Sequence, residues 1–201
     1  MIIFIKFYVP AYMIIFFLFA MVFPSYSLYK RTGINPVTFG KKAETAHDYI
    51  GVIFKLIFIA AAAFGILNSF VDFKTIACLD TTIFKVIGVS LSLLSLALIM
   101  AAQKTMSDSW RIGIDDQNRT ELVTSGAFGY TRNPIFAGML MVLISLFFII
   151  PAGFMGYLAV LSYLITSIQV RLEEEFLSKA HGKDYIEYKN RVGRFIPRFF
   201  K

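Results

Sequence analysis

Between Asn133 and Val170 the chain carries no formal charge. A run of roughly 18 or more apolar residues is long enough to span a bilayer, and this one is long enough to cross and return. Pro151-Ala152-Gly153 marks the turn, so the run reads as a tight helical hairpin with arms at residues 134–150 and 154–170. At ~1.5 Å per residue each arm is ~25 Å, slightly short of a full crossing. The hairpin therefore either sits toward one side of the bilayer or is extended by flanking residues.

Three further apolar segments precede it, at residues 2–23, bounded by Pro24, at 50–71 and at 82–102. The expected fold is all-α: a polytopic membrane protein of about five transmembrane helices with a tail helix. A signal peptide is the alternative for the first segment, since Lys6 precedes an apolar stretch, but no clear A-x-A site follows. Sixteen of the 20 Lys and Arg residues fall in the first loop, the third connection and the tail, all on one side of a five-span arrangement. The positive-inside rule then puts the N-terminus outside and the C-terminus in the cytosol; the expected location is a bacterial inner membrane. Lys55, near the start of the second span, is expected to snorkel. The composition agrees, with 57% hydrophobic and 16% charged residues, where an ordinary soluble domain is about a quarter charged.

The net charge of +7 does not indicate nucleic acid, because the basic residues flank apolar spans and no nucleic-acid motif accompanies them. A single cysteine, Cys78, precludes an intrachain disulfide, and His47 and His181 have no metal-ligand spacing. Neither a nucleic-acid partner nor a metal is expected.

Two polar stretches are richer than an anchor needs. The first, residues 103–133, contains Glu121-Leu122-Val123-Thr124-Ser125-Gly126 and then Tyr130-Thr131-Arg132-Asn133-Pro134. Gly126 allows a tight turn, and Pro134 suits the first turn of a helix. Arg132 lies beside that helix start, where an anion such as a ligand carboxylate is favoured. The plain alternative is a loop, an anchor and a helix start. The second stretch opens with Arg171-Leu172-Glu173-Glu174-Glu175. On a helix, Glu174 and Glu175 share the face of Arg171 while Glu173, about 200° away, points elsewhere. Three adjacent carboxylates at a membrane edge need a cationic partner, and a cationic ligand is one; a surface i,i+4 pair is the other reading. Tyr185, Tyr188, Phe195 and Phe199 among basic residues suit interfacial anchoring, and Trp110 with Arg111 equally so. His181 reads as structural.

At these residues the sequence resembles the isoprenylcysteine carboxyl methyltransferase family of membrane enzymes, including bacterial relatives. The resemblance rests on Leu122-Val123-Thr124-Ser125-Gly126, Arg132-x-Pro134, the apolar hairpin, Arg171 with its acidic cluster, and Gly182-x-x-Tyr185-x-x-Tyr188. It covers residues 103–197. It divides the chain into three spans with their loops (1–102) and a cofactor-binding region with hairpin and tail (103–201). It implies methyl transfer from S-adenosylmethionine by direct displacement to a lipophilic or lipid-attached acceptor, a carboxylate first. The cofactor contacts it implies are Thr120, Glu121, Leu122, Val123, Phe128, Asn133, Pro134, Ile135 and Phe136, with Tyr130 and Arg132 as neighbours. It also implies an arginine that faces the substrate and a glutamate that holds the cofactor. Arg171 and Glu174 are the expected catalytic pair, with Glu173 and Glu175 as cofactor contacts. The choice among the glutamates is open. Counting back from Gly182 at the family's spacing lands on Gln169 and Glu173, whereas counting forward from Arg171 lands on Glu175. This chain also has Asn133 where the family often has His, and Phe128 where it often has Tyr.

Two rivals remain. One is an NADPH-dependent membrane reductase with a similar C-terminal half, although the basic groups for its phosphates are sparse. The other is a non-catalytic membrane partner protein.

Overall fold

The computed structural model describes residues 2–33, 46–107, 110 and 121–198. It is an all-α bundle of α1 (Ile2–Phe17), α2 (Phe23–Thr32), α3 (Ala46–Phe70), α4 (Thr82–Met106), α5 (Pro134–Ile149), α6 (Gly153–His181) and α7 (Lys183–Arg191). Ile5–Thr32, Asp48–Phe70, Thr82–Met106 and Gly153–His181 are long and apolar enough to cross a membrane, and Pro134–Ile149 is a shorter apolar helix. Only the second hairpin arm is extended by flanking structure: α6 continues past Arg171 to His181, whereas α5 begins at Pro134 and stays 16 residues long.

The first helix does not stop at Pro24, contrary to expectation. A π-helical turn, Leu18–Val22, joins α1 to α2, and the Phe23 N–H donates to the Leu18 carbonyl five residues back. A proline in a helix leaves the carbonyl four residues earlier without its usual donor. For Pro24 that is Ala20, and the Gln103 side chain of α4 donates to it at 2.6 Å. For Pro10 it is Lys6, whose carbonyl accepts from the Ser69 hydroxyl of α3 at 2.6 Å. Neighbouring helices thus satisfy both freed acceptors, as a bilayer interior requires.

α4 and α5 pack closely through small residues. Gly88, Ser92 and Ser95 on α4 face Gly138, Val142 and Ser145 on α5, all buried. A β-carbon on Gly88 would stand 2.8 Å from the Ser145 carbonyl, and one on Gly138 would strike Ile99. Small residues at such crossings let backbones approach where lipid supplies no hydrophobic drive. α1 docks on α4 through the Tyr12 hydroxyl, which donates to the Ser92 carbonyl at 2.9 Å, and on α3 by stacking Phe16 on Phe58.

Lys6 pairs with Asp72 at 2.7 Å, and the Ile76 N–H donates to the Pro151 carbonyl at 2.8 Å. The start of α1, the α3–α4 loop and the hairpin tip therefore share one end of the bundle. The residues ahead of α5 and the tail share the other.

Candidate functional site

Ahead of α5 the chain turns at Gly126, whose φ of 58° suits glycine and which packs against Thr105. A 3-10 turn, Gly126–Gly129, follows. At the other end of the segment Pro134 occupies the first turn of α5. Between them the chain docks on the C-terminal tail. Thr131 and Gly193 form a parallel bridge, the Arg132 N–H donates to the Gly193 carbonyl at 2.9 Å, and the Thr131 hydroxyl and Asn133 amide donate to the Arg194 carbonyl. The Tyr188 hydroxyl donates to the Phe128 carbonyl at 2.7 Å.

Arg132 pins this contact. Its Nε and Nη2 donate to one Glu174 oxygen at 3.1 and 2.7 Å, and Nη1 donates to the Lys189 and Val192 carbonyls. Arg194 Nη2 takes the other Glu174 oxygen at 2.8 Å. Both side chains of the Arg132–Glu174 pair are about 95% buried, at 5% and 4% exposure. The anion expected beside Arg132 is thus the chain's own Glu174, not a ligand, and Glu174 is fully engaged between two arginines. Hydrogen bonding to that carboxylate raises the pKa of Arg194. Tyr185 and Tyr188 are buried against Leu122, Leu177 and Val192, not at the membrane interface as expected. Their i,i+3 spacing turns both rings inward from α7. Burial, and then the Glu174 charge, pushes the Tyr185 hydroxyl up to about 12.

Beside this clamp lies a cavity of about 990 Å³. Its polar end carries Glu173, Arg132, Asn133, Gln103, Lys55 and His181, and its walls are apolar side chains of α1, α3, α5 and α6. Along α3 its lining runs from Gly51 to Ile66, about 22 Å at 1.5 Å per residue. On α6 the lining residues are Glu173, Phe176, Leu177, Ala180 and His181, an i, i+3, i+4, i+7, i+8 stripe. Glu173 is half-buried, accepts a hydrogen bond from Gln169 at 2.9 Å, and makes no ion pair among the described residues.

Phe128, Arg132, Asn133, Pro134, Ile135, Phe136 and Glu173 meet at this cavity. The other expected residues that the structure describes do not line it. Glu121 and Tyr130 are exposed, Leu122 packs under α7, Val123 is half-buried elsewhere, and Glu175 is exposed and pairs with Lys179 at 2.7 Å. Thr120, Arg111 and Phe199 lie outside the described residues. Arg171, the expected catalytic arginine, is exposed and borders a separate depression with Glu174 and Glu175. The helical wheel had Arg171 and Glu173 on opposite faces, and the cavity is on the side of Glu173. Of the two registers, the one counted back from Gly182 has its glutamate, Glu173, on the cavity, while its Gln169 is fully buried and does not line it. The sequence reading missed Lys55, His181, Gln103 and Trp110 as lining residues. A charge inside an apolar span, as at Lys55, is a signal that could have found the cavity.

The phospholipid methyltransferase family model matches residues 83–184, from the start of α4 into the first turn of α7. Protein-S-isoprenylcysteine O-methyltransferase of Saccharomyces cerevisiae is 28% identical over 151 residues, covering 70% of this chain. The chain spans 63% of the length of that relative. The family-model match covers half of the chain, with Arg132, Glu173 and Glu174 inside it, and the chain belongs to the phospholipid methyltransferase family.

Proposed function

We propose that this protein is a membrane methyltransferase that takes its methyl group from S-adenosylmethionine and acts on a lipophilic or lipid-attached acceptor. The observation that carries the reading is Glu173: a carboxylate with no cationic partner among the described residues, at the polar end of a long apolar cavity. A buried charge calls for a counter-charge, and the donor is a sulfonium cation. The residues present fit it. Phe128 and Phe136 line the same cavity and supply aromatic faces, which suit a cation. Asn133 to Phe136, at the start of α5, close the wall on that side.

When bound, S-adenosylmethionine supplies an electrophilic methyl carbon for direct displacement. The chain's own part is positioning. The clamp holds the Phe128–Phe136 wall against α6, and the apolar walls exclude water and align an acceptor, from which much of the rate would come. If the acceptor is a carboxylate it is already ionised and needs no base. Lys55 and His181, which line the cavity, replace Arg171 as the groups to orient it. The name of the yeast relative specifies an isoprenylcysteine acceptor, and the apolar length along α3 supports an acceptor with a comparable hydrophobic chain. By the loop charges, the end carrying the clamp faces the cytosol, where a water-soluble donor has access.

Isothermal titration of the purified protein in detergent with S-adenosylhomocysteine and, separately, NADPH tests the reading. Binding of the first is expected; binding of NADPH alone would favour a reductase and remove the proposal.

A further inference from the structure

On the face of α6 turned away from the cavity lies a second depression, of about 300 Å³, lined by Arg171, Glu174, Glu175, Ser178, Lys189 and Arg194. Its acids are already neutralised. Glu174 is held by Arg132 and Arg194, and Glu175 by Lys179. The Ser178 hydroxyl is spent on the Glu174 carbonyl. What remains is cationic. Arg171 is exposed and makes no hydrogen bond or ion pair among the described residues. The Lys189 ammonium stands 4.0 Å from Glu174 with its side chain half exposed, and Arg194 spends only Nε and Nη2 on Glu174.

The same face of α6 continues into the membrane as an apolar stripe. Tyr157, Val160, Leu164 and Ile168 are all exposed, and at 100° per residue all lie within about 60° of Arg171. A greasy stripe ends in a cationic hollow at the point where the apolar part of the helix stops, which is headgroup depth.

We propose that this depression binds the phosphate of an anionic phospholipid whose acyl chain lies along the Tyr157, Val160, Leu164 and Ile168 stripe. A guanidinium fork with an adjacent ammonium matches phosphate oxygens, and the surplus charge selects an anionic over a zwitterionic headgroup. The site is separate from the cavity, so the bound lipid is not a methyl acceptor, and the proposal stands independently of the methyltransferase reading.

Native mass spectrometry of the full chain in a neutral detergent tests it, with titration by dioleoylphosphatidylglycerol, dioleoylphosphatidylcholine and inorganic phosphate. The phosphatidylglycerol adduct is expected to form at least about tenfold more readily than the phosphatidylcholine adduct, at about fivefold per basic residue engaged. An Arg171→Gln/Lys189→Gln double variant is expected to lose that preference, with circular dichroism unchanged. Equal binding of the two lipids by the native protein, which requires no variant, overturns the proposal. So does a folded double variant that still prefers phosphatidylglycerol. Displacement of the lipid by equimolar inorganic phosphate would make the site one for a free anion and overturn the lipid assignment.

Discussion

Replacing Glu174 with Ala should release the tail without melting the bundle. The substitution removes the acceptor for Arg132 Nε and Nη2 at 3.1 and 2.7 Å and for Arg194 Nε and Nη2 at 3.2 and 2.8 Å. It leaves the Arg132 charge buried at 5% exposure without a counter-ion. Breaking a buried pair by removing one partner costs about 3–5 kcal/mol. The individual hydrogen bonds are not added to this, because they are part of the same interaction. The clamp joins α7 and residues 192–194 to the segment ahead of α5, while the α4–α5 contact is formed by other residues. The cost therefore falls on local opening. At about 1.4 kcal/mol per tenfold, the open population should rise roughly 10²- to 10⁴-fold. Hydrogen–deuterium exchange in nanodiscs reads this directly: amides of α7 and residues 128–133 should exchange faster by that factor, with α4 and α5 unchanged. Unaltered exchange in α7, or equal acceleration throughout the bundle, would refute the assignment of Glu174 as a clamp residue.

Glu173→Gln, by contrast, should leave exchange unaltered and weaken binding of the cationic donor by about 10- to 100-fold, as expected for loss of a charge-assisted contact of about 1.5–3 kcal/mol. The uncharged product thioether should lose much less, and equal losses in paired titrations would argue against Glu173 as the counter-charge. Gly193→Ala places a β-carbon against the Ile196 carbonyl, so the bridge to Thr131 must shift, and α7 exchange should rise as for Glu174→Ala while Gly33→Ala, in open space, leaves it unchanged. Gln103→Leu should cost about 1–3 kcal/mol by orphaning the Ala20 carbonyl, read as a lower midpoint of thermal unfolding in nanodiscs; an unchanged midpoint would mean that the π-helical turn satisfies that carbonyl alone.

The helices, the Pro151-Ala152-Gly153 joint and the turn at Gly126 were legible in the sequence because each is local: span length, hydropathy and permitted backbone angles involve neighbours along the chain. Even the opposition of Arg171 and Glu173 followed from the helical repeat. The rotation of α6 about its own axis did not, because that is set by packing against α3 and α5. This packing turned Glu173 toward the cavity and left Arg171 outside. Nor could the sequence show that Pro24 would be bridged, since the group that satisfies the Ala20 carbonyl lies on α4, or that Arg132 would find its anion in Glu174. Local composition determined which segments are helical and which of them suit a bilayer. Partners distant along the chain, brought together by packing, decided which charges cancel one another and which are left facing the cavity.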